Sequence, residues 1–276
     1  MKRLFFTLPL LLFTCCGDAD HFSTAEKKRP PKGEYLYRLS NEHTFSLQSP
    51  IVQQRRQYPW EDGTIGHLSK ITKEHFRCNG SRLNPERTIT NDGQTTTLYD
   101  CGGSERHSLP MVEDKEHIYP ILIDLANYIQ QETKKKVVIT CGHRCPEHNT
   151  YADPSKTNRY SKHMIGAEAS FYVQGLESDP HAVVQLIIDY YSKHPDYKYD
   201  TAYTNFQRYD KDDTNVTTPP WYNKEIFIKL FKNDEGRDFD NRHPFPYISL
   251  QVRYDRETQS RVIYSWDKAH RNITRR

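Results

Sequence analysis

The chain has 276 residues, 35% of them hydrophobic and 27% charged, and a formal net charge of +3. That length can bury a real core, and the near balance of 39 basic and 36 acidic residues excludes the dense positive field of a nucleic-acid-binding protein. A mean hydropathy of −0.90 is low for a globular chain, so the 19 Tyr and 12 Phe must supply much of the packing, with the Tyr hydroxyls reaching partners or water.

The chain opens "MKRLFFTLPLLLFTCCGD", with Lys2 and Arg3 before an apolar run that ends at Phe13. The run is too short to span a bilayer and reads as a secretory h-region. A cysteine straight after it is the pattern of a bacterial lipoprotein signal, 1–16, with the lipid on Cys15 or Cys16. This places the mature chain at a bacterial cell envelope, anchored to a membrane; an ordinary secretory signal with incidental cysteines is the alternative. Loss of Lys2 and Arg3 takes the charge from +3 to +1.

Residues 17–34, charged and proline-bearing, read as a tether. Residues 35–108 read as an amino-terminal extension with strand-like pieces at 75–79 and 95–101. From 113 to 132, Ile118, Ile121, Leu122, Leu125, Tyr128 and Ile129 recur at helical spacing, and three lysines at 134–136 sit where cations favour a helix end. The run 137–140, "VVIT", predicts a buried strand, and 166–173, "GAEASFYV", a second. A helix is expected from Pro180, capped by Asp179, with Val183, Val184, Ile187, Ile188 and Tyr191 inward. Three further strands are expected at 225–231, 247–254 and 261–266. This order predicts an α+β domain over 109–276, an antiparallel sheet flanked by helices.

Cys78, Cys101, Cys141 and Cys145 are an even number in an exported chain, where disulfides persist. Pairing Cys78 with Cys101 and Cys141 with Cys145 is expected, although four cysteines allow three connectivities. A zinc cluster is the rival reading, weakened by the C-x3-C spacing and the exported location.

The segment "ITCGHRCPEHN" resembles the "SGYRSPxxN" motif of the D-alanyl-D-alanine carboxypeptidases and D,D-dipeptidases, zinc enzymes of the bacterial cell wall that share a fold with the Hedgehog signalling domain. "SKHMIGAEASF" is similar to that family's "SxHxxGxAxDF", with Ser161, His163, Gly166 and Phe171 on their motif positions. The resemblance covers about 110–270 and implies a carboxypeptidase/Hedgehog-like fold. It also implies a zinc held by two His and one Asp. Here Glu168 replaces the motif Ala, and Ser170 replaces the metal-binding Asp. Tyr247 or Gln251 falls on the late His, and Ser249 follows Tyr247 on the next acid position. Only His163 survives as a ligand, so zinc is expected to bind weakly or not at all.

Glu168, His243, Asp240 and His143 are the residues that could replace the missing ligands. Each has a plainer role: Glu168 pairing with Arg144, His243 capping a turn, His143 exposed. By the resemblance, Arg144 grips a peptide carboxylate or stabilises charge; a structural pair with Glu147 or Glu168 is the alternative. Ser161 and Asn149 hold the loop by local hydrogen bonds. Three functions compete. The leading one is an envelope lipoprotein whose decayed carboxypeptidase-like domain binds peptidoglycan peptides. The others are an active metallopeptidase with rearranged ligands, using Arg144, Ser161 and Glu168, and a protein-interaction module.

Overall fold

The computed structural model describes residues 63–91, 93–155, 159–211 and 213–275. Cys15, Cys16, the expected signal and the expected tether lie outside the described residues. Thr64–Arg276 form one compact unit. No helix among the described residues is long and apolar enough to cross a membrane.

The unit begins with two short hairpins, β1 (Thr64–Ile65) with β2 (Leu68–Ser69), and β3 (Arg87–Asn91) with β4 (Gln94–Leu98). The expected strand at 75–79 is instead a 3-10 turn, Lys73–Phe76, with a capping box from Thr72. A third hairpin joins β5 (Met111–Val112) to β6 (Lys115–Glu116) through Glu113 and Asp114, both left-handed at φ 49° and 59°. That turn and Pro120 delay the first helix, α1, to Pro120–Thr133. Ile121, Leu122, Leu125, Ala126 and Ile129 form its buried face, and Lys134 closes it in the left-handed region at φ 56°.

After α1 come β7 (Val137–Cys141), the helix α2 (Pro146–Ala152), the 3-10 turn Lys162–Ile165 and β8 (Glu168–Val173). The helix α3 (Pro180–Lys193) is capped by Asp179, whose Oδ1 accepts from Ala182 N–H at 3.1 Å. Then follow α4 (Thr201–Thr204), β9 (Gln207–Arg208), β10 (Trp221–Tyr222), β11 (Ile226–Phe231), β12 (Tyr247–Val252), the hairpin β13 (Tyr254–Asp255) with β14 (Ser260–Arg261), and α5 (Trp266–His270). The strand expected at 261–266 is not formed, because the short β13–β14 turn ends it at Arg261 and Ser265 caps a helix.

The fold is therefore mixed α+β around a six-stranded antiparallel sheet ordered β7-β8-β12-β11-β10-β9. Residues opposite one another share a sheet face. Ala169, Leu250 and Ile228 are register partners, and their face joins α1 and α3 in one buried core with Phe171, Ile187 and Tyr191. On the other face, Glu168, Gln251, Phe227 and Tyr222 line up across four strands, and Ser170, Ser249 and Lys229 across three. Near β8 this second face is covered, with Glu168, Ser170 and Ser249 all buried. Toward β9 it opens.

Candidate metal centre

Three separate pieces of chain converge outside the sheet. Cys78 follows the 3-10 turn Lys73–Phe76, Cys101 precedes and His107 follows a second turn, Gly103–Glu105, and Cys145 is the N-cap of α2. Their three Sγ atoms and a ring nitrogen of His107 lie within 4.8 Å of one another. Cys78 Sγ stands 3.7 Å from Cys101 Sγ, and Cys101 Sγ stands 3.5 Å from His107 Nε2. Two sulfurs on a tetrahedral zinc are about 3.8 Å apart, and a sulfur and an imidazole nitrogen about 3.5 Å. Both edges fit a Cys3His set.

Local structure explains the convergence. Gly80 lies so close to the Cys101 Sγ that a Cβ there would overlap it, and Gly103, at φ +74°, presses on the Gly80 carbonyl. Larger residues would force the two loops apart. The sulfurs also receive backbone donors: Gly103 N–H gives to Cys101 Sγ at 3.3 Å, and His148 N–H to Cys145 Sγ at 3.3 Å. His107 Nδ1 lies 3.1 Å from the Ser108 carbonyl, which can only accept, so Nδ1 carries the proton and Nε2 offers its lone pair toward the sulfurs. Hydrogen bonds from Cys145 and Cys78 draw the Cys101 thiol well below its ordinary pKa. In return, the contact with Cys101 holds both of those thiols well above theirs. Three sulfurs crowded in this way resist ionising together unless a cation discharges them.

A second buried cluster abuts the first. His148 Nδ1 meets Asp100 Oδ1 at 2.6 Å, and its Nε2 meets Asp240 Oδ1 at 2.9 Å. Burial disfavours the His148 cation, but the two carboxylates overcome that and raise it to about 9. Arg144 donates from Nε to Asp240 and from Nη2 to Asp238, each at 2.7 Å, with only 2% of its side chain exposed. Its partners are thus Asp238 and Asp240, not Glu147 or Glu168.

The expected disulfides are corrected. All four cysteines are free thiols, and 3.7 Å between Cys78 and Cys101 is far beyond the roughly 2.05 Å of a disulfide. Cys141 and Cys145 face different surroundings: Cys141 Sγ contacts His163 Nδ1 at 3.4 Å, while Cys145 belongs to the four-residue cluster. The spacing C-x3-C hid this because Cys141 ends a strand and Cys145 opens a helix.

The position where the family resemblance puts zinc does not fit one. His163 gives its Nδ1 proton to the Gly142 carbonyl at 2.7 Å, and its Nε2 stands 3.7 Å from Glu168 Oε1. Glu168 in turn accepts from Ser249 Oγ at 2.6 Å and Gln251 Nε2 at 2.9 Å. Burial opposes its charge, yet His163, Lys229 and these two donors bring it down to about 2. Ser170 faces Ser249 across the ladder, and Tyr247 gives its hydroxyl to the Gly236 carbonyl at 2.6 Å. Among the described residues, the groups of three or more candidate ligands are the Cys78 cluster and the overlapping trio Asp100, Cys101 and His148.

The remaining sequence candidates are scattered. His243 stacks beside Tyr172 and Phe245, outside both clusters. Ser161 caps the turn that carries His163, accepting from His163 N–H at 3.3 Å. His143 is 1% exposed with neither ring nitrogen hydrogen-bonded, and burial lowers it to about 3, so it is neutral. His107 was not singled out by the sequence. The glycines in "CNG" and "CGG" mark the tight packing around Cys78 and Cys101, but no local signal marks His107. No family model, no curated protein and no solved structure matches this chain.

Proposed function

We propose that the protein is a zinc-binding protein in which Cys78, Cys101, His107 and Cys145 hold one structural Zn2+. Four protein ligands leave no open position for water or substrate, which separates a structural site from a hydrolytic one. The single observation that carries this reading is the convergence of three sulfurs and His107 Nε2 within 4.8 Å, with a 3.7 Å sulfur pair that is not bonded. The metal would fasten the loops at 78 and 101–107 to α2. Metal analysis of the purified full chain tests it: one zinc per chain is expected, with X-ray absorption showing three sulfur and one nitrogen neighbours. A metal-free chain that keeps four reactive thiols and the same stability would refute it.

A second reading concerns the sheet face and keeps the cell-wall expectation without zinc hydrolysis. Lys162, Lys229, Gln251 and Arg253 line an open cavity of about 310 Å³ on that face. Lys162, Lys229 and Arg253, set against the single acidic lining residue Asp213, suit a carboxylate-ended peptide of the peptidoglycan type, presented to an exported, lipid-anchored protein. Arg144 is sealed by two aspartates, so Lys229 takes over the role that the resemblance gave it. Muropeptide binding should weaken at least tenfold in Lys229→Ala. Equal affinity in parent and variant, or no binding by the parent, would exclude this reading.

A further inference from the structure

The metal cluster is not sealed. Cys101 and Cys145 reach a cavity of about 280 Å³ whose lining also includes Arg82, Arg106, His107 and Asp100, and Arg275 paired with Glu147 at 2.6 Å. Cys101 is half-buried, whereas Cys78 and Cys145 are 5% and 1% exposed. The side chains of Arg82 and Arg106 both crowd Gly102, the residue next to Cys101. Cationic neighbours, a backbone N–H donor and partial exposure are the surroundings that make a thiolate reactive toward oxidants.

We propose that Cys101 and Cys78 form a redox modification site, in which peroxide converts the zinc-bound thiolates to a disulfide and releases the metal. The inference rests on the zinc reading above. Cys101 thiolate attacks one oxygen of hydrogen peroxide, the O–O bond breaks, and Cys101 sulfenic acid forms while hydroxide takes a proton to become water. Cys78 thiolate then attacks the sulfenic sulfur. The S–S bond forms, the S–O bond breaks, and a second hydroxide leaves and is protonated. In all, two thiolates, one peroxide and two protons give one disulfide and two waters. Zinc, left with Cys145 and His107, departs.

Geometry selects Cys78 as the resolving thiol. Its sulfur must move from 3.7 Å to about 2.05 Å of Cys101 Sγ, and it lies on a loop outside any helix or strand. Cys145 is fixed at the start of α2, where its sulfur accepts from His148 N–H at 3.3 Å and contacts Glu147 at 3.4 Å. Cys141 lies elsewhere, against His163.

The test is titration of the full chain, purified without oxidant, with hydrogen peroxide. Zinc is read with a chromophoric chelator, and cysteine linkage by non-reducing peptide mapping. One zinc should leave per chain as two thiols are lost, with a peptide pair joining Cys78 to Cys101, and dithiothreitol plus zinc should reverse both. Cys141→Ser should behave as the parent. Linkage through Cys145 or Cys141, or oxidation of Cys101 to sulfinic acid with no cross-link, would overturn the proposal. If the purified chain carries no zinc, the zinc reading fails. Mapping of that same metal-free chain still decides the thiol pairing: a Cys78–Cys101 link upholds it, and any other overturns it.

Discussion

Replacing Arg144 with Met separates a residue that grips a ligand from one that holds the fold. Its guanidinium is 2% exposed and bonded to Asp238 and Asp240 at 2.7 Å each, and Asp240 is itself 3% exposed and bonded to His148. Methionine removes the cation, leaving buried Asp240 with His148 alone and Asp238, 20% exposed, with Asn241 as its remaining donor. Removing one partner of a buried pair costs about 3–5 kcal/mol. For a unit of this size each kcal/mol is worth about 2–4 °C, so the midpoint of thermal unfolding should fall by roughly 6–20 °C. Urea unfolding at pH 7 measures the change, and an unaltered m-value would show that the denatured state is not the cause. Adding Asp238→Asn to Arg144→Met should cost less than the two single changes together, with a coupling of about 1–3 kcal/mol. A single variant that loses under about 1 kcal/mol while binding of a carboxylate ligand collapses would refute the structural role.

The other predictions concern charge, packing and metal. Glu225 is 1% exposed, with Tyr191 donating to Oε2 at 2.9 Å and Oε1 unpartnered, and burial raises its pKa to about 6 from 4.5. Because the folded state holds this proton more tightly, its stabilisation is present below pH 4.5 and lost as pH rises through 6, about 2 kcal/mol in all. Glu225→Gln should therefore flatten the urea stability profile between pH 4 and 7, and an unchanged slope would contradict this. Gly142→Ala would set a Cβ 2.5 Å from Phe76 Cα and 2.6 Å from its carbonyl oxygen, backbone that cannot yield, so about 1–3 kcal/mol and much of the bound metal should be lost. Wild-type stability in that variant would mean the loop rests elsewhere. Cys145→Ser should abolish zinc retention on gel filtration while Cys141→Ser keeps one equivalent; equal loss in both would tie Cys141 to the metal after all.

Much of the sheet domain was legible because its signals are local. The runs at 137–140, 225–231 and 247–254 became β7, β11 and β12, and Asp179 capped α3 as its position before Pro180 implied. The start of α1 was misplaced because Ile118 is buried at a helical interval yet precedes Pro120, and because the left-handed pair Glu113 and Asp114 carries no glycine to mark a turn. The run at 261–266 has strand composition, but its neighbours offer it no ladder beyond Arg261. The Cys–His cluster was illegible for a different reason. Its residues come from three segments whose meeting depends on close packing at Gly80 and Gly103, and nothing in the spacing from Cys78 to Cys145 sets that meeting. Arg144 was visible as a special residue, but its partners Asp238 and Asp240 lie in a loop far along the sequence, so the pairing could not be read.

The stretch 272–275 lies against the stretch that carries His107. Ser108 N–H gives to the Thr274 carbonyl at 2.9 Å, Met111 N–H to the Asn272 carbonyl at 2.6 Å, and Thr274 N–H to Ser108 Oγ at 3.0 Å, with His107 and Arg275 paired as an isolated bridge. These contacts join some of the most distant parts of the described sequence, and distant contacts are the slowest to form. On the zinc reading, the His107 ring keeps its local contact with the Ser108 carbonyl, and these distant contacts add a backbone restraint that is expected to form last. If the cluster holds zinc, a deletion as small as 272–275 should slow metal capture more than it lowers final stability.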